Sequence, residues 1–128
     1  MRSYTLTTRL TADQIIKCTL GVRAAEVQAY IALLRCGSST VQKISEYLGK
    51  SRPTAQRLLQ DLVTSGLAVR RESPIGRGGY TYEYEAVPPE IVRDKVRGIL
   101  DEWYSKVKRD LESLPSEIME RKETAKQG

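Results

Sequence analysis

Residues 39–66 read STVQKISEYLGKSRPTAQRLLQDLVTSG, and the fold turns on how this stretch divides. Gly49 separates two runs whose apolar side chains recur every three or four residues, the period of an amphipathic helix. In the first run Val41, Ile44 and Leu48 share a stripe. In the second, stepping about 100° per residue from Ala55 brings Leu58, Leu59 and Leu62 to the same side. Ser39-Thr40-Val41-Gln42 has the spacing of a capping box, with Ser39 as the cap. Ser51 can cap the second helix, which tolerates Pro53 because first-turn N–H groups have no intrahelical partner. That helix spans about 51–65, and Gly66 closes it. A short helix, a tight turn and a second helix result.

Upstream, Thr11-Ala12-Asp13-Gln14 is another capping box, opening a short helix that reaches about Cys18. A longer helix follows from about Arg23 to Arg35, with Val27, Tyr30, Ile31 and Leu34 on one face and Gly37 at its end. Downstream the period changes to 2. Leu67 and Val69 alternate with Ala68 and Arg70, and Tyr80, Tyr82 and Tyr84 alternate with Thr81, Glu83 and Glu85. The turn formers of residues 73–79 join these two strands into a hairpin. The tyrosine row reads as the face packed against the helices, with a stacking platform for single strands as the other option. Pro88-Pro89 opens a long amphipathic helix that persists to Leu114, where Pro115 kinks or ends it.

The expected class is mostly α with a small β-hairpin, a winged helix-turn-helix followed by a long C-terminal dimerisation helix. Residues 1–10 form an N-terminal arm, 11–87 the winged helix-turn-helix domain, 88–120 the dimerisation helix and 121–128 a flexible tail.

Charge is unevenly spread. Residues 1–87 hold twelve Lys and Arg against seven acids, whereas residues 88–128 hold nine of each, so the net +5 lies wholly in the first part. A one-sided basic surface concentrates polyanions. The chain has no His, which removes the usual general base, and no catalytic constellation replaces it. Cys18 and Cys36 stand alone, too few for a zinc site, and read as small buried hydrophobes, with a disulfide or redox switch as the other option. No metal, cofactor or enzymatic activity is expected. No apolar run suits a bilayer and no secretory signal opens the chain, so a cytoplasmic protein is expected.

The second helix turns Pro53, Gln56, Arg57 and Gln60 away from its leucines, a set without an acid. Gln and Arg make the bidentate contacts that read adenine and guanine edges in the major groove of double-stranded DNA. Ser51, Arg52 and Thr54 sit at the helix start, where charge and free amides suit phosphate. Thr40 and Lys43 are expected as further phosphate contacts, with simple solvent exposure as the equal alternative. Arg70, Arg71 and Arg77 flank the Gly-rich wing tip, placed for backbone or minor groove. Asp61 lies on the flank, one turn from Arg57, and is expected to pair with it.

The run from Leu20-Gly21-Val22 to Val69-Arg70-Arg71, with its Ser51-Arg52-Pro53-Thr54-Ala55-Gln56-Arg57-Leu58 core, resembles the DNA-binding domain of archaeal TrmB-like regulators and is similar to the MarR family. The resemblance covers about residues 20–87 and implies a transcriptional regulator. TrmB proteins carry a large C-terminal sugar-sensing domain. Here a long helix stands in its place, implying a short single-domain member.

Along that helix Val92, Val96, Ile99, Trp103, Val107, Leu111, Leu114 and Ile118 step by three or four residues. The stripe is expected to form a homodimer interface. The competing reading is a winged-helix protein-interaction module of transcription machinery that reads no bases. No effector is legible, although the space between core and dimer helix would suit one.

Overall fold

The computed structural model describes residues 11–127, with side chains described to Arg121, so the expected arm at 1–10 lies outside the described residues. Helix α1, Ala12–Leu20, begins with the expected box: the Thr11 hydroxyl accepts the Gln14 N–H, and the Gln14 side chain accepts the Thr11 N–H at 2.8 Å. Helix α2, Ala24–Cys36, starts where the Glu26 carboxylate accepts the N–H of Arg23. Helix α3 covers Val41–Leu48 and helix α4 covers Arg52–Thr64. Strands β1, Ala68–Pro74, and β2, Tyr80–Ala86, form an antiparallel hairpin in register from Ala68 opposite Ala86 to Pro74 opposite Tyr80.

Most of the core comes from one side of each helix. Ala55, Leu58, Leu59 and Leu62 of α4 are buried against Val27, Ala29, Tyr30, Ala32 and Leu33 of α2 and Val41 and Ile44 of α3. Burying each leucine contributes about 1.5–3 kcal/mol. Leu34, placed on the buried face by its spacing, is exposed; the smaller Ala29 and Ala32 pack inside instead and rotate the buried face of α2.

The cap of α3 differs from the expected one. Thr40, not Ser39, accepts the Lys43 N–H, because the Ser39 backbone is already paired with Tyr84 in an isolated antiparallel bridge. This bridge fastens the approach to α3 onto β2. The hairpin face is also shifted. Leu67 gives its N–H to the carbonyl of Leu62 and accepts the N–H of Val87, so it is buried ahead of the ladder. Alternation starts one residue later, Ala68 turns inward and Val69 is exposed. Of the tyrosine row only Tyr84 is packed, at 1% exposure, against 42% for Tyr82 and 64% for Tyr80. The hairpin therefore runs beyond the helices that cover its base. Pairing also extends through Ser73 and Pro74, which shortens the tip to residues 75–79.

Helix α5 spans Pro89–Asp110, a 3-10 turn covers Leu111–Ser113, and helix α6 covers Leu114–Gln127. The break falls just before Pro115, whose ring crowds the carbonyl four residues back and which has no N–H to offer it. Pro115 itself sits harmlessly in the first turn of α6. The expected tail from residue 121 instead continues this helix to Gln127.

The chain divides into two units between Val96 and Arg97. Within the first, Val92 and Val96 are buried in the helical core, and the Lys95 ammonium donates to the Ser65 carbonyl at 3.0 Å. A cation at this end of α4 complements the helix dipole, worth about 0.3–1 kcal/mol. Assigning Val92 and Val96 to a dimer interface is thus corrected: their own domain covers them. An apolar cleft of about 290 Å³ remains between α1, α2 and the first turns of α5. Cys36 is half-buried as expected of a small hydrophobe, whereas Cys18 is exposed; both are free thiols.

Candidate nucleic-acid interface

The turn between α3 and α4 is built to present the start of α4. Gly49 takes φ 66°, a left-handed conformation in which a Cβ would be strained, and ends α3 within one residue. Ser45 then fixes the next peptide, its hydroxyl donating to the Lys50 carbonyl at 2.6 Å. The Ser51 hydroxyl accepts the Thr54 N–H and donates to the Thr54 hydroxyl at 2.9 Å. Ser51 and Thr54 are thereby engaged with each other at the first turn.

With the leucine face inward, Arg52, Pro53, Gln56, Arg57 and Gln60 are all exposed. Together with Asp61 they line an open recess of about 540 Å³ along α4. Arg52 and Gln56 also line a second, polar cleft of about 330 Å³, shared with Thr40 and Gln42 of the α3 start and with Tyr80, Thr81 and Tyr82 of β2. The first turns of both helices and the flank of the wing thus meet around one concave surface. Gln42 and the two exposed tyrosines were absent from the residues expected at the site. Period-2 alternation alone puts both tyrosines on the core face, because it shows which side chains share a face, not where the underlying core stops.

The predicted cations differ in their engagement. Arg52, Arg57 and Arg77 have no ion-pair partner among the described residues. Arg70 stacks over the Tyr82 ring, 4.4 Å from its centroid, and the Tyr82 hydroxyl reaches Glu72 at 3.4 Å. Arg71 lies 3.6 Å from Glu85 across the ladder. These contacts are exposed and worth at most about 1 kcal/mol each, so they orient the arginines without committing them. The Lys43 ammonium donates to the Cys36 carbonyl at 3.4 Å, and Thr40 caps α3.

Asp61 does not pair with Arg57. Its carboxylate accepts from the Arg23 guanidinium at 3.3 Å, and Arg23 also contacts Glu26 at 2.9 Å. The hydrogen bond and charge of Glu26, with Asp61 adding less, hold the Arg23 pKa above its ordinary value. No local pattern points to this pair, since 38 residues separate the partners.

No helix among the described residues is long and apolar enough to cross a membrane. Residues 16–90 match the family described as "Sugar-specific transcriptional regulator TrmB". The chain is 34% identical over 110 residues to an uncharacterised protein of Methanocaldococcus jannaschii, covering 86% of this chain and 83% of that one. A second uncharacterised protein of the same organism is 35% identical over 101 residues, covering 79% and 83%. The fold of this chain is similar to that of a "possible transcriptional regulator" of Methanosarcina mazei, with TM-score 0.72, 21% identity and coverage of 81% and 88%. It is also similar to S. aureus MepR in a complex with DNA, with TM-score 0.52, 19% identity and coverage of 84% and 88%. The hairpin beside α3 and α4 makes this a winged helix-turn-helix, and the matching family is one of transcriptional regulators. The chain belongs to the TrmB family of transcriptional regulators.

Proposed function

We propose that this regulator is a cytoplasmic protein that binds double-stranded DNA sequence-specifically as a homodimer, with α4 in the major groove and the wing on backbone or minor groove. One observation carries the reading: Gln56, Arg57 and Gln60 stand exposed on α4 while its opposite face fills the core. Such side chains on a rigid helix can make bidentate contacts with base edges. Arg52, Thr40 and Lys43 would hold phosphates beside them, and Arg77 with Arg70 and Arg71 would extend the contact along the wing. That a protein of this fold, MepR, has been solved with DNA supports DNA as the partner.

The homodimer reading rests on exposed apolar side chains after Val96. Trp103, Val107, Leu111, Leu114 and Ile118 are all exposed, and Ile99 is half-buried. A two-fold pair would set the recognition helices about 34 Å apart and favour near-palindromic sites. The proposed organisation is a binding domain through Val96 and a pairing segment after it.

Selection of bound sequences from random duplexes, with the mass of the complex measured alongside, tests both parts. A defined near-palindrome bound by two chains is expected; a protein that enriches no sequence is an interaction module instead. Affinity should fall on the order of 10³-fold between about 50 and 200 mM salt. Arg57→Ala should cost about 1–3 kcal/mol on the selected site and relax preference at one base pair. An equal loss on every sequence would reassign Arg57 to the backbone.

A further inference from the structure

We propose that Arg23 is a positioning residue for DNA binding, masking the charge of Asp61 so that the acid on this face of α4 neither repels phosphate locally nor draws Arg57 away. The proposal rests on the DNA-binding reading above and goes one residue deeper. Among the described residues, Asp61 is the one acid lining the recess that Arg52, Pro53, Gln56, Arg57 and Gln60 share. Left alone, its carboxylate would repel the duplex and draw Arg57, one turn away on the same helix, from its base. The structure gives it a different partner. The Arg23 guanidinium reaches Asp61 from the start of α2 at 3.3 Å, and Arg57 is left without an ion-pair partner among the described residues.

What holds Arg23 in place is a second, less exposed carboxylate. Glu26 is buried, its Oε1 accepting both the Arg23 backbone N–H at 3.1 Å and the Arg23 Nε at 2.9 Å. The two contacts engage Nε and leave Nη2 directed at Asp61. A helix-capping interaction therefore orients the cation that neutralises an acid on the candidate reading face. Such a pair adds little stability, because it is exposed. Its effect is on the field that the duplex meets.

The test is a double-mutant cycle read by duplex affinity on the selected site, with thermal unfolding followed in parallel. Arg23→Ala is expected to weaken binding about threefold to tenfold, the effect of uncovering one charge near phosphate. Adding Asp61→Asn to that variant should return affinity to within about twofold of Asp61→Asn alone. Because Arg23→Ala also strips buried Glu26 of its cation, the cycle is repeated with Glu26→Gln, whose amide oxygen can still accept the Arg23 N–H. Rescue by Asp61→Asn in both backgrounds supports masking. An Arg23→Ala loss that persists undiminished beside Asp61→Asn means that Arg23 touches DNA itself, and overturns the proposal. Wild-type affinity in Arg23→Ala overturns it as well. A wild-type protein that binds no duplex defeats the DNA-binding reading instead, so the two failures are distinct.

Discussion

Helix α4 and the second half of α5 both repeat an apolar side chain every three or four residues, yet their surroundings differ. Leu62 of α4 is fully buried, whereas Trp103 of α5 is 54% exposed. On α4 the stripe is covered by elements that lie before and after it in the chain, and the outward face is left to polar side chains. On α5 Val92 and Val96 are covered in the same way, but the stripe continues past Val96 into Trp103, Val107 and, beyond the helix, Leu111. The proposed pairing rests on these exposed apolar side chains, since a large exposed apolar patch is where a partner would bind. Helical period identifies the face that avoids water; connectivity decides whether the same chain can cover it.

The difference is sharpened first by Leu62→Ala. Removing a fully buried leucine should cost about 2–5 kcal/mol in denaturant unfolding, whether or not the protein is paired. A loss below about 1 kcal/mol would mean that α4 is not the centre of the core. Trp103→Ala should act differently. Large aromatic anchors at interfaces are worth about 2 kcal/mol or more, so its dimer dissociation constant should rise about thirtyfold or further. Sedimentation over a concentration series checks this. An unchanged mass distribution would break the contrast, leaving α5 with an exposed stripe that pairs with nothing.

Much of this was legible because it depends on neighbours in sequence. The box at Thr11 and Gln14, the Ser51 cap, Pro53 in a first turn and the leucine face of α4 are all local patterns, and each is found. The faults lie where distant segments meet. Ser39 lost its cap role to a bridge with Tyr84, and Asp61 took a partner at residue 23 rather than residue 57. Val92 and Val96 fitted the dimer stripe by spacing, and only the packed helices show that they belong to the core. The outward set Gln56, Arg57 and Gln60 was readable from one helix alone. The cleft joining it to Gln42 and the wing tyrosines was not, because three elements build it.

Tyr30 offers the smallest and most specific test of the covered half of α5. Its hydroxyl donates to the Val87 carbonyl at 2.6 Å, tying α2 to the residue that leads into α5. Burial, and after it the negative charge of Glu90, raise the Tyr30 pKa above its ordinary value near 10. The folded state thus favours the neutral phenol. Its contribution is whole below the unfolded pKa, near 10, and is lost as pH rises through the higher folded value. Tyr30→Phe should cost about 1 kcal/mol at neutral pH, the worth of one hydrogen bond. It should also remove part of the alkaline loss of stability, since a phenyl ring has no proton to give up. The other six tyrosines remain in both proteins, so the difference between their stability curves isolates this residue. Denaturant midpoints at pH 7 and about pH 10.5 supply the measurement. A gap that stays constant between those pH values would show that Tyr30 does not ionise differently on folding, and that the hydrogen bond alone secures the start of α5.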